Sequence, residues 1–491
     1  DLAARIARRD LSVREATESA IASIERQNPT LNAVVAERFD AARAEADEMD
    51  RDRPEQLPPL WGVPFLLKDV NLYSSVLPTR FASRFFASAQ PRGDSAMVRR
   101  WREGGLVVLG TTNTPEFAGD FTTEPLFYGT CRNPWNVGVT VGGSSGGAGA
   151  AVASGIVPLA HGTDLGGSIR IPAHFCGVYG HKSTHGMISM RGHVPAEPGH
   201  IGEPDLGVAG PMARSADDLA FLLDIITVPP PGTQPGWRLD LPPPTHDRLA
   251  DFRVLVWTED DDCLIDSRLA SAYGNLVEQL SQAGVKVSRG APANLGLMDL
   301  YPNYTLQMGA LMKAWLTRGE RMAKGMVAPA MGWTPALLRT LAKVMDSPKC
   351  IDKFVEGMTM SHSRWLNVIE DSLVLRERFM AAFEQYDVIL LDMNFTKDVS
   401  SGQEGFYWLD RILELDPAAV VVLITAYGDV NLAVKAIKEG ATDFVLKPWQ
   451  NEKLIAILKT ACQNRTGESK LKGEAGVKQN GTFHYDEFIG V

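Results

Sequence analysis

The chain has no apolar run near the roughly 18 residues that a membrane span needs; its longest, "AAVVVLITA" at 418–426, is strand-sized. It has no block of lysine and arginine, and its formal net charge of −10 opposes a nucleic-acid or anionic-membrane surface. Cysteine is scarce: Cys131, Cys176, Cys263, Cys350 and Cys462 are odd in number and far apart, with neither a C-x-x-C pair nor a ligand spacing to histidine. They read as reduced and structural, which places the chain in the cytoplasm. There is no signal-peptide pattern and no internal repeat, and because the chain opens on Asp1 and runs straight into a helical pattern, its start reads as truncated. What remains is 491 residues, 45% hydrophobic and 22% charged, enough for two or three globular domains acting on a small or neutral partner.

Lysine is also scarce until late in the chain. Before residue 391 the basic residues are thirty arginines and eight lysines; from there on they are nine lysines and two arginines. Either residue serves a solvated face, so the switch reads as two sequence origins. Up to about residue 386, amphipathic helices ("DDLAFLLDII", 217–226; "LASAYGNLVEQLSQAG", 269–284) alternate with strand-like runs ("FRVLVW", 252–257) and glycine-rich turns, an α/β pattern. Beyond it, "YDVILLD" (386–392), "AVVVLITAYGD" (419–429) and "TDFVLKPW" (442–449) are apolar strands separated by helical stretches, which predicts a parallel βαβαβ run. A polar linker at 464–481 precedes the start of something further. The expected division is therefore 1–386, 387–465 and 466–491.

The chemistry concentrates in two glycine-serine clusters, "GGSSGG" (142–147) and "GTDLGGSIRIP" (162–172). "AGAAVASG" after the first is a tight alanine helix, so these glycines sit where a loop enters a helix N-terminus. In the second, Gly166 and Gly167 precede Ser168 and leave several adjacent N–H donors unblocked, which suits an oxyanion hole. A serine nucleophile needs a base, and the nearby His161, His174, His181 and His185 have no evident carboxylate orienter. "LWGVPFLLKDV" (60–70) offers Lys68 at the end of an apolar segment, where desolvation lowers a lysine pKa enough for a neutral amine near pH 7.

Taken together, "GVPFLLKD", "GGSSGG", "GTDLGGSIRIPAHFCGVYGHKST" and "GPMARSADDLAFLLD" resemble the amidase signature family in order and spacing, over roughly residues 1–390. The resemblance implies a mixed central sheet covered by helices, and a hydrolase that cleaves small-molecule carboxylic amides through an acyl-enzyme with no metal or other cofactor. It implies Ser168 as nucleophile, Ser144 on a cis peptide as bridging serine, and Lys68 as base. The N–H groups of Leu165, Gly166, Gly167 and Ser168 would form the oxyanion hole, with Ser145, Asp164 and Arg170 in support. Ser183 stands where the family commonly has proline, so the loop there is expected to be looser. The family's usual C-terminal strands are not recognisable after "YDVIL".

Residues 387–465 instead resemble the second half of a response regulator receiver domain, most like those that precede enhancer-binding activators. That resemblance implies Asp392 as phospho-acceptor, Thr425 and Phe444 as switch residues and Lys447 as the phosphate-binding lysine. The acidic pair that holds Mg²⁺ in receivers should precede Asp392, and the amidase-like part occupies that place, so the chain reads as a chimera. The alternatives are a signalling module carrying a passenger amidase segment and a subunit of a tRNA-dependent amidotransferase, which shares the signature.

Overall fold

The computed structural model describes residues 1–70, 73–90, 93–192, 203, 205–227, 245–258, 260, 265, 267–292, 295–315, 350–391, 422–425 and 443–446. They fall into two compact units, one of Asp1–Thr245 with Asp299–Arg376 and one of His246–Met298 with Glu377–Val491.

The first unit is built on β1 (Val34–Glu37), β2 (Pro64–Lys68), β3 (Val107–Thr112), β4 (Leu159–Asp164), β5 (Tyr179–Gly180) and β6 (Val208–Ala213). These form one six-stranded sheet in the order β1-β3-β2-β4-β6-β5. The pairs β2–β3 and β2–β4 are parallel and the others antiparallel, giving the mixed sheet that the family resemblance implies. Side chains of a strand alternate between faces. Leu66, Val107, Leu109, Ala160 and Met212 therefore enter one core with the helices Val13–Leu31 and Gly146–Ala153. Phe65, Leu67, Val108, Leu159 and Ala213 enter a second core with the helices Ala96–Glu103 and Ala216–Ile226. With helices on both faces, a central strand must be apolar throughout rather than alternating, which is why "PFLLK" is buried at every position.

Local signals start these helices. Ser12 accepts the Glu15 N–H while the Glu15 carboxylate accepts the Ser12 N–H, at 3.0 and 2.8 Å, and Ser215 accepts the Asp218 N–H at 3.1 Å. The helix Gly146–Ala153 obeys a different constraint, because its small residues let the backbone of neighbouring segments approach. A Cβ on Gly147 would lie 2.7 Å from the carbonyl oxygens of both Ala33 and Asn113.

In the second unit β7 (Arg253–Trp257), β8 (Lys286–Arg289) and β9 (Val388–Leu391) form a parallel sheet in the order β8-β7-β9. The helix Ser267–Gln282 supplies Val277 and Leu280 to its core. Asp387 accepts from Arg253 Nη2 at 2.8 Å, Nε at 3.1 Å and the backbone N–H at 2.8 Å, which locks β9 against β7. The strand at the expected 386/387 junction thus pairs with one that precedes it by about 130 residues. In the same unit β10 (Val422–Thr425) pairs in parallel with β11 (Asp443–Leu446).

Two glycines test the packing argument. Gly147→Ala should destabilise the chain by about 2 kcal/mol, since the backbone it would strike cannot rotate away. Gly274→Ala, in the helix Ser267–Gln282 where an added Cβ meets nothing within 4 Å, should stabilise by about 0.5–1 kcal/mol. Urea unfolding of the two variants checks both signs.

Candidate active site

Lys68 is the last residue of β2, and β2 lies between β3 and β4. The sheet therefore carries the amine into a place where Lys68 is fully buried. Its Nζ lies 2.7 Å from Ser144 Oγ, 2.9 Å from Ser145 Oγ and 3.0 Å from Thr163 Oγ1. All three partners are hydroxyls, which can donate or accept. The neighbouring carboxylate is engaged elsewhere: Asp69 accepts the Arg80 N–H at 2.7 Å, the Ala82 N–H at 3.2 Å and the Tyr128 O–H at 2.7 Å. Burial outweighs the more distant attraction of Asp164 and brings the Lys68 pKa from 10.5 to about 7.

The first serine cluster is held by its backbone. The Gly143–Ser144 peptide is cis and Gly142 has φ +76°. Thr123 donates to the Gly142 carbonyl and Thr114 to the Ser144 carbonyl, each at 2.8 Å. A Cβ on Gly143 would lie 2.8 Å from both Asp120 O and Phe121 C, so only glycine allows the 120–122 turn this close. The Ser145 N–H donates to the Ser168 carbonyl at 3.0 Å and stitches the two clusters together.

The second cluster is organised by Asp164 at the end of β4. Its buried carboxylate accepts the Gly167 N–H at 2.9 Å, the Ile169 N–H at 3.0 Å, Arg170 Nε at 3.0 Å and Arg170 Nη2 at 2.9 Å. Although burial opposes ionisation, Arg170 and these N–H donors hold its pKa below the ordinary carboxylate value. Gly167, at φ +118°, makes the turn into Ser168, which is 8% exposed at the mouth of the loop. The Gly167 N–H, expected as an oxyanion donor, is instead donated to Asp164.

Lys68, Ser144, Ser145, Asp164 and Ser168 are thus brought together, with Arg170 bracing them. Thr163 belongs to the same set and was not anticipated. Its only trace in the sequence is that "GTD" ends β4, beside the end of β2. Ser183 is buried and donates to the Ala209 carbonyl at 2.8 Å, which ties the loop to β6 where a looser segment was expected. Asp392 and Lys447 lie outside the described residues, and Thr425 and Phe444 are placed only as positions on β10 and β11. Among the described residues no cluster of three His, Cys, Asp or Glu side chains could hold a metal ion, and no helix is long and apolar enough to cross a membrane.

A family model described as Amidase matches residues 15–443. The chain belongs to the amidase signature family, whose members are hydrolases of C–N amide bonds. The 6-aminohexanoate-cyclic-dimer hydrolase of Paenarthrobacter ureafaciens is 34% identical over 337 residues, 66% of this chain and 66% of that protein. The chain therefore spans slightly less than two thirds of that relative's length. A glutamyl-tRNA(Gln) amidotransferase subunit from Solidesulfovibrio magneticus is 40% identical over 401 residues, 78% of this chain and 79% of that one. A solved structure of 6-aminohexanoate cyclic dimer hydrolase complexed with substrate aligns with a TM-score of 0.60 at 27% identity, covering 78% of this chain and 76% of that one.

Removing the brace should expose its role. Arg170→Met leaves the buried Asp164 carboxylate without its cation and should destabilise the chain by about 3 kcal/mol at neutral pH. The depressed pKa of Asp164 supplies stability that is present above its unfolded value and lost as pH falls through the folded one. In the variant the folded pKa rises, so acid unfolding should begin at a higher pH, as measured by circular dichroism against pH.

Proposed function

We propose that the chain is an amidase that hydrolyses the C–N bond of a small-molecule amide through an acyl-enzyme on Ser168. The observation that carries this reading is the fully buried Lys68 amine within 3.0 Å of three hydroxyls, with a pKa lowered to about 7. A neutral amine can accept a proton where an ammonium cannot. Ser168 Oγ attacks the amide carbon, its proton passes to Ser144 Oγ, and the Ser144 proton passes to Lys68 Nζ. The carbonyl oxygen becomes an oxyanion facing the N–H groups of the glycine loop. Collapse expels the amine, which takes a proton back through Ser144, and water then attacks the acyl-enzyme by the same relay to release the carboxylic acid. The reaction suits the cytoplasm, where the free, buried Cys131 and Cys176 stay reduced.

A second reading, a subunit of a tRNA-dependent amidotransferase, is favoured by the 40% identity to the amidotransferase subunit. A receiver-like origin for 387–465 rests on the order of its sequence motifs alone. The Amidase match nevertheless continues to residue 443.

A fluorophosphonate should label Ser168, and Ser168→Ala should remove both the label and amide hydrolysis. Lys68→Ala should lower kcat/KM by several orders of magnitude. In the unsubstituted chain kcat/KM should rise about tenfold per pH unit and level off above about 7, as Lys68 loses its proton. Labelling that persisted in Ser168→Ala would move the nucleophile elsewhere, and turnover that needed partner subunits and glutamine would favour the second reading.

A further inference from the structure

Two side chains with no part in the proton relay meet at a glycine of the nucleophile loop. Gly166 lies two residues before Ser168. A Cβ there would come 2.7 Å from the Tyr304 hydroxyl oxygen and 3.7 and 3.8 Å from Cε1 and Cζ of Phe121. Tyr304 is carried by the helix Leu297–Trp315, and Phe121 belongs to the turn whose backbone packs on Gly143. One turn therefore borders both serine clusters, and a tyrosine from a distant helix reaches the same spot.

Each side chain is placed as if something is missing from it. Phe121 is 56% exposed, although a phenylalanine gains more from burial than most residues. Tyr304 is partly buried, and among the described residues its hydroxyl has no hydrogen-bond partner. The hydroxyl is therefore open to a bound group rather than sealed in the interior. Tyr301 stacks on the Tyr304 ring with centroids 6.1 Å apart and planes at 30°, which limits where the hydroxyl can point.

We infer that Phe121 and Tyr304 form a specificity subsite: the Phe121 ring takes a flat aromatic group attached to the reacting amide, and the Tyr304 O–H donates to an acceptor atom on that group. The inference rests on Ser168 being the nucleophile. The substrate class it names is an aromatic amide bearing a ring acceptor such as a pyridine nitrogen, in preference to a plain phenyl or small alkyl amide. Burial pushes the Tyr304 pKa up to about 12, so the hydroxyl keeps its proton across the range in which Lys68 loses its own.

The test compares kcat/KM within matched pairs: nicotinamide against benzamide, with the ring on the carbonyl, and N-pyridylacetamide against acetanilide, with the ring on nitrogen. The unsubstituted chain should prefer the pyridyl member of at least one pair by about tenfold, in line with one hydrogen bond, and the responding pair shows which side of the C–N bond the subsite serves. Tyr304→Phe should bring that ratio close to one. Phe121→Ala should lower kcat/KM for the preferred aromatic amide about tenfold relative to acetamide. Each comparison is a ratio within one protein, so a reduced folded fraction cancels. A pyridyl preference absent from both pairs, or one that survives Tyr304→Phe, overturns the subsite. So does an aromatic preference unchanged in Phe121→Ala. Fluorophosphonate labelling of the unsubstituted chain separates the two failures. A labelled Ser168 with unchanged ratios removes this inference alone, whereas an unlabelled Ser168 removes the proposed reaction with it.

Discussion

Burying an amine without a counterion is the constraint on which this site depends. A charged lysine cannot stay in the interior unless something compensates it, so its proton affinity falls until the neutral form is accessible near pH 7. The surroundings preserve that condition. β2 is apolar on both faces up to Lys68, and the adjacent Asp69 is occupied by two backbone N–H groups and a phenol. The partners that remain are hydroxyls, which satisfy the amine without restoring its charge. A carboxylate in the place of Thr163 would make a comfortable ion pair and keep the amine protonated.

Bringing those hydroxyls to the amine requires backbone where side chains would usually be. Gly143 and Gly147 pack against other main-chain atoms at distances that exclude a Cβ. The Ser145 N–H bond to the Ser168 carbonyl then makes the two clusters one structure. Asp164 performs the complementary task with a charge, gathering the N–H groups of its own loop and the Arg170 guanidinium onto one buried carboxylate. Charge is thus excluded at Lys68 and concentrated at Asp164, the residue after Thr163.

The second unit follows a simpler logic. A parallel strand cannot be joined by a tight turn, so β7 and β9 come from segments far apart in the chain and are secured by side chains. Arg253 and Asp387, at the starts of the two strands, make that connection. "YDVIL" pairs with β7, and the aspartate that precedes its strand meets this arginine.

Much of this was legible in advance. The helices at 216–226 and 267–282 and the strands at 253–257 and 388–391 lie where apolar periodicity places them, because each buries one stripe or one face. The clusters around Ser144 and Ser168, and the lysine at the end of an apolar run, were visible because glycine density and a charged residue after buried ones are local features. Local features could not reveal Thr163, the engagement of the Gly167 N–H by Asp164, the diversion of Asp69, or the meeting of Phe121 with Tyr304 at Gly166. Each depends on which strand ends lie side by side and how closely two backbones approach. Residue identity alone determined that this chain sets serines in glycine-rich turns and a lysine at the end of an apolar run. The order β1-β3-β2-β4-β6-β5, which sets the end of β2 beside the end of β4, decided which hydroxyls reach the amine, because hydrogen bonding acts over about 3 Å and sequence separation has no bearing on it.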